Sequence, residues 1–411
     1  MQQGPRAERY DSLDILRGVA VLGILAINIQ TFAQPHYVFS NPTLIPETFE
    51  REGWMWRIAA TFFQFKFITI FSALFGAGIV LMVGEERPSA RLGLHYRRMA
   101  WLALFGLAHA FLLWFGDILF AYAVAGAIAV LARRWKAAML VIVGLVLIAL
   151  DYGLFLGQQL YLENASPEEA AKFLSEMWAP PPEELTRATA LYSAPFLERL
   201  PETAGTAAMF LTMQTLALAP RTIGVMMIGM ALYKSGFFTL GWSGARYLVT
   251  GAVAAAIGVA GSHWAVSQFF AVGFDPYKMG PPQAGVYWSS LPHAFGYAAL
   301  IMWLAKAGAL KAVLAPFAAT GRMALSNYLA CSVIGALVFY GPPGLGLIGE
   351  FGFVRQAQTT LLIWIAILVW SPLWLAVFRF GPFEWLWRSL TYWRPQPLFK
   401  GGRAAPAGGV L

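Results

Sequence analysis

LDILRGVAVLGILAINIQTFA, residues 13–33, carries only two charged side chains, Asp14 and Arg17, both near its start. About 20 predominantly apolar residues suffice to cross the hydrocarbon of a bilayer as a helix. Similar runs recur along the chain, and ten candidate spans follow: 14–33, 56–84, 98–115, 117–133, 137–156, 206–233, 246–270, 289–306, 320–340 and 356–378. The first run continues into Gln34-Pro35-His36 rather than a small-residue cleavage site, so a membrane helix is expected there, not a cleaved signal. The expected fold is all-α: a polytopic integral membrane protein with about ten transmembrane helices around a central cavity.

Composition points the same way. Hydrophobic residues make up 58% of the chain and charged residues 12%, half of what a soluble surface needs. The 16 Trp, 15 Tyr and 31 Phe suit aromatic belts at two interfaces. The net charge of +8 does not call for nucleic acid, because the basic residues sit in short segments between apolar runs. Cys331 is the single cysteine, which excludes an intramolecular disulfide and a cysteine metal site.

The connections alternate in charge. Arg6 and Arg9 precede the first run. Arg87, Arg91, Arg97 and Arg98 follow the second; Arg133, Arg134 and Lys136 follow the fourth. Lys234 and Arg246, then Lys306 and Lys311, then Arg379, Arg388, Arg394 and Lys400 mark the remaining even-numbered connections. By the positive-inside rule both termini are cytoplasmic, and the expected location is a bacterial inner membrane. The segment 157–205 carries eight acidic residues against three basic ones, so it is expected outside. Within it, Ser166-Pro167-Glu168-Glu169 has the spacing of a helix capping box. One membrane domain over 1–400, with a flexible tail at 401–411, is the expected organisation.

Charges inside a bilayer are costly and mark candidate sites. Asp14 and Arg17, three apart, share a helix face and form an interfacial pair in the simplest reading. Asn28 lies eleven residues beyond Arg17, on nearly the same face and roughly 16 Å along the axis. Arg98 and His109 repeat that spacing on the third run, and Asp117 follows at the turn after Gly116. A histidine beside a carboxylate can serve as a general base; a lone intramembrane histidine can equally bridge two helices. Arg221 is either a mid-membrane cation facing a cavity or an interfacial residue, and the sixth run is expected to break near Pro220. Arg322 and Asn327 offer polar side chains to the cavity or to neighbouring helices. His36 and His95 fall in connections and are expected to be solvated. His263 and His293 read as packing residues, as do Gly76 and Gly78. No phosphate loop, zinc signature or dinucleotide fingerprint is present.

LDILRGVAVLGILAIN (13–28), FSALFGAG (71–78), RRMAWLALFGLAHAFLLWFGDILFAYA (97–123), GRMALSNYLACS (321–332) and GPFEWLWRSLTYWRPQPL (381–398) together resemble the YeiB-like family. Its C-terminal region, here 230–398, is known as domain of unknown function 418. The family looks like a branch of the transmembrane acyltransferase superfamily. That resemblance implies transfer of an acyl group from a cytoplasmic donor such as acetyl-CoA to a sugar, lipid or other small acceptor, with no permanently bound cofactor and no metal. In the acyltransferase-3 branch an Arg and a His stand eleven apart on the first helix. Arg17 matches the Arg, but position 28 is Asn, and an amide is not a base at neutral pH. The resulting expectation makes His109 and Asp117 the catalytic pair. Arg17, Asn28, Arg98, Arg221, Arg322 and Asn327 are the candidate donor and substrate contacts. The alternative is a transporter or exporter of a small amphiphile, with His109 and Asp117 as a proton relay. The expected partners are the lipid bilayer and the acceptor; no oligomeric state follows from the sequence.

Overall fold

A computed structural model describes residues 11–85, 89–217, 219–308 and 310–400. Arg6, Arg9, Arg87 and the expected tail 401–411 lie outside the described residues. The described chain is all-helical; its only β-type pairing is an isolated bridge between Phe378 and Phe399. In order the helices are α1 (Asp11–Ala33), α2 (His36–Ser40), α3 (Pro46–Phe62), α4 (Lys66–Val83), α5 (Ser89–Leu112) and α6 (Leu119–Ala129). There follow α7 (Ala137–Asn164), α8 (Pro167–Met177), α9 (Pro182–Ser193), α10 (Phe196–Ala217) and α11 (Ala219–Lys234). The last six are α12 (Gly244–Ala271), α13 (Gly280–Ala307), α14 (Lys311–Arg322), α15 (Ala324–Phe339), α16 (Phe353–Val377) and α17 (Pro382–Tyr392).

Five stretches are long and apolar enough to cross a membrane: α1, the run Pro46–Val83, α7, α12 and α16. Counting the bent pairs α10–α11 and α14–α15 as one span each raises the number to seven, against the ten expected. The difference has local causes. α5 carries Arg91, Arg97 and Arg98, and α6 has only eleven residues. The expected second span divides over residues 63–65: α3 ends at Phe62, and Phe65, with φ of 66°, is the N-cap of α4. The expected ninth span bends by 81° at Met323. The break foreseen near Pro220 falls between α10 and α11. The segment 157–205 holds two short helices, α8 and α9, where one was expected, and Ser166 and Glu169 close the capping box between them.

α1 is the axis of the bundle. Of its most apolar stretch 72% is buried, against 22% for α7 and 28% for α12 and α16. The exposed faces of these outer helices are aliphatic, with Leu145, Leu150, Val253, Ile257, Leu362 and Leu373 among them. Such a set of helices fits a membrane protein, in which lipid covers the apolar exterior. Close helix contacts rest on small residues. A side chain on Gly76 would fall 1.9 Å from the Met226 carbonyl oxygen, so α4 and α11 touch along their backbones there.

Candidate functional site

The loop between α5 and α6 folds Asp117 back onto α5. His109 Nδ1 and Asp117 Oδ1 lie 2.8 Å apart. Asp117 Oδ2 accepts the Phe120 N–H at 2.8 Å in the first turn of α6, so both carboxylate oxygens are engaged. The approach depends on Gly106: a Cβ there would lie 2.3 Å from Phe120 N and 2.8 Å from Asp117 Oδ2. A carboxylate only accepts, so Nδ1 carries the proton and Nε2 is the basic nitrogen. Nε2 meets the Ser332 hydroxyl of α15 at 2.8 Å. His109, Asp117 and Ser332 are all buried. Tyr328, one turn before Ser332, packs beside the imidazole with ring centroids 5.1 Å apart, and its hydroxyl accepts the Ile118 N–H at 3.3 Å. Asp117, His109 and Ser332 thus form an acid–base–hydroxyl chain with the geometry of a nucleophile-activating triad.

Ser332 is the member of this chain that meets open space. Val21, Ile24, Leu25, Asn28 and Phe32 of α1 face Tyr328, Cys331 and Ser332 of α15 across a small cavity of about 10 Å³, room for about one water molecule. The α1 residues recur at helical spacing and form one stripe. The lining is apolar apart from Asn28, Tyr328 and Ser332.

The remaining expected residues divide into three places. Arg17 pairs with Asp14 at 2.9 Å and keeps 29% of its side chain exposed. Arg98, about 16 Å along α5 from His109, stacks over Trp387 of α17 at 4.1 Å, and its charged neighbours are Arg388 and Arg17. Three guanidinium groups therefore gather at one end of the bundle. Asn327 is fully buried and bridges helices, donating to Thr320 O and Ser371 Oγ at 3.0 Å and accepting from Trp370 Nε1 at 2.8 Å. Arg322 ends α14 beside the bend at Met323. Neither Asn327 nor Arg322 lines the cavity at Ser332.

Arg221 belongs to a second buried cluster. Its Nη2 donates to Thr69 Oγ1 at 3.2 Å and Ser290 Oγ at 2.8 Å, and its guanidinium stacks 4.2 Å from the Tyr287 ring. Asp151 accepts the Arg221 backbone N–H at 3.3 Å and the Tyr287 hydroxyl at 2.7 Å. Lys66 is fully buried nearby and donates to Ala60 O at 2.9 Å.

Two histidines, His95 and His36, differ from expectation. His95 is buried within α5, with Nε2 3.0 Å from the Gly126 carbonyl oxygen, because α5 begins earlier than the apolar run. His36 sits among the rings of Tyr37, Phe115 and Phe210, and burial pushes it down to about 4. His293 is fully buried against the Tyr297 ring, in keeping with the packing role expected of it, and Ser262 Oγ lies 3.2 Å from its Nδ1. Ser332, Lys66 and Asp151 escaped the sequence reading. For Lys66 and Asp151 a signal existed, since each is a charge inside an expected span. Ser332 had none beyond its place four residues after Tyr328. Among the described residues no three of His, Cys, Asp and Glu come together as metal ligands.

Residues 232–394 match the family described as "Protein of unknown function (DUF418)". The chain is 32% identical to the uncharacterized protein YeiB of Escherichia coli (strain K12), over 93% of this chain and 96% of that protein. It is 30% identical to the uncharacterized protein YxaH of Bacillus subtilis (strain 168), over 96% of each. An uncharacterized 39.9 kDa protein of Bacillus acidopullulyticus is 25% identical over 95% of this chain and 96% of that protein. No solved structure matches. The length and closeness of these matches establish that the chain belongs to the YeiB-like family, which carries the DUF418 region at its C-terminal end.

Proposed function

We propose that this protein is an acyltransferase of the bacterial inner membrane, with both termini cytoplasmic and about ten crossings. It moves an acyl group from an acyl-CoA donor to a hydroxyl or amine of a sugar, lipid or other small acceptor. The observation that carries this reading is the chain Asp117–His109–Ser332, with Ser332 on the wall of a small, mostly apolar cavity. In it, Nε2 of His109 takes the Ser332 hydroxyl proton as Oγ attacks the thioester carbonyl. The C–S bond breaks and the thiolate leaves with the proton from His109, giving acyl-Ser332 and free CoA. The acceptor then loses its proton to Nε2 and attacks the ester; Ser332 leaves as hydroxyl with that proton. Asp117 holds the tautomer throughout. The three guanidiniums of Arg17, Arg98 and Arg388 suit the phosphates of the donor at the cytoplasmic mouth. No permanently bound cofactor or metal is required.

Labelled acetyl-CoA supplied to proteoliposomes tests the reading. Transfer of label to acceptor, lost in His109→Ala, is expected. Uptake of an unmodified solute driven by a proton gradient, without label transfer, would establish the transporter reading instead. For orientation, a cysteine placed at Glu169 should react with an impermeant reagent in intact cells. Reaction only after permeabilisation would reverse it.

A further inference from the structure

The second buried cluster carries more donors than acceptors. Arg221 is 6% exposed, and its Nη1 is buried without a hydrogen-bond partner. Lys66 is 0% exposed and uses one of its three ammonium hydrogens, on Ala60 O. The Arg221 guanidinium is the charged neighbour of Lys66, and Thr69, which Arg221 grips, stands one turn after Lys66 on the same helix face. Lys66 is in turn the charged neighbour of His293, whose Nε2 is also buried and unpartnered. One carboxylate, Asp151, neighbours Arg221, and it already accepts from Tyr287 and the Arg221 backbone.

Helix direction adds to the imbalance. Lys66 opens α4 and Arg221 lies in the first turn of α11. Thr69 meets Arg221, and Gly76 meets Met226, so the two helices run parallel with their N-termini together. Helix N-termini carry partial positive charge and unpaired N–H groups. An arginine cannot shed its proton to relieve such a site. An anion relieves it.

We propose that Arg221 Nη1, Lys66 Nζ and His293 Nε2 form a binding site for a phosphate group. The arginine fork and the lysine point charge suit a tetrahedral oxyanion approached from several helices: α4, α11 and α13 supply the donors. The site is closed by Phe65, which holds a left-handed backbone (φ 66°) and lies with its ring 5.3 Å from the Arg221 guanidinium. A phosphate enters when the 63–65 turn moves aside; strained non-glycine residues of this kind recur at ligand clamps. The inference stands apart from acyl transfer. Where both hold, the acceptor bears a phosphate and is anchored here.

Thermal unfolding and native mass spectrometry of the detergent-solubilised full chain test it, with no acyl donor present. The probes are inorganic phosphate, phosphatidic acid in nanodiscs, and a zwitterionic phosphatidylcholine control. Wild-type protein should be stabilised by inorganic phosphate, by phosphatidic acid, or by both. Stabilisation by phosphate alone assigns a free anion; stabilisation by phosphatidic acid alone assigns a lipid headgroup. Apparent affinity should fall at least roughly tenfold in Arg221→Lys and Lys66→Met. If Arg221→Lys does not fold, Lys66→Met and His293→Gln carry the comparison, since both leave the contacts of Arg221 in place. No stabilisation of the wild type beyond the phosphatidylcholine control overturns the proposal, and so does unchanged affinity in the folded variants. Either failure leaves label transfer from acetyl-CoA unaffected, so the two readings fall separately.

Discussion

The two buried polar clusters of this bundle are built from similar parts and balanced differently. Around His109 each nitrogen has one partner and each Asp117 oxygen has one donor. Around Arg221 two cations are neighbours, only Arg221 is shown with a carboxylate beside it, and two buried nitrogens have no partner. A satisfied buried network is rigid and ready to act; an unsatisfied one costs free energy until something completes it. The first is therefore read as machinery and the second as a receptor.

The largest effect is expected at His109. His109→Ala should lower acyl transfer by roughly 10²–10⁴-fold, the range for a lost general base, while the protein still inserts and folds. Retained turnover would show that the satisfied cluster is only structural. Ser332→Ala should be comparably damaging and should also abolish any covalent acyl-protein adduct. Gly106→Ala should act through position alone. A Cβ at that site has no room beside Phe120 N and Asp117 Oδ2, so the Asp117 turn must move and turnover should fall without loss of donor binding. Kinetics at saturating donor separate these cases.

A smaller effect belongs to the donor mouth. Arg98→Ala should weaken CoA binding several-fold, about 1 kcal/mol for a partly solvated charge contact, and isothermal calorimetry reads it. Equal affinity in mutant and parent would remove Arg98 from the donor site.

A pH response is expected away from both clusters. His36 is pushed down to about 4 by burial. The unfolded chain therefore holds more protons between the ordinary value of 6.5 and about 4, and stability falls as pH drops through that window. The loss is at most about 3 kcal/mol. Hydrogen exchange in α2 should quicken between those pH values and level off below; His36→Phe should remove the response.

Much of this was legible in the sequence, for reasons specific to each residue. Period and apolarity located the long helices, and Ser166 with Glu169 gave the capping box. His109 and Asp117 were readable as a pair because the Gly116 turn is short. Helix breaks at Phe65 and Met323 were not, since they depend on backbone conformation that tertiary packing imposes. Ser332 was invisible for another reason: it lies 223 residues from His109, and only the fold joins them. Lys66 and Asp151 did carry a signal, as charges inside expected spans, but an average hydropathy over a whole span passes over a lone polar position.

The most direct test of the central claim is intact-protein mass spectrometry after incubation with acetyl-CoA. The account predicts a single acetyl adduct on the wild type that maps to Ser332, disappears on addition of acceptor, and is absent from Ser332→Ala and His109→Ala. An adduct that persists in both variants, or no adduct together with no label in any acceptor, would contradict it.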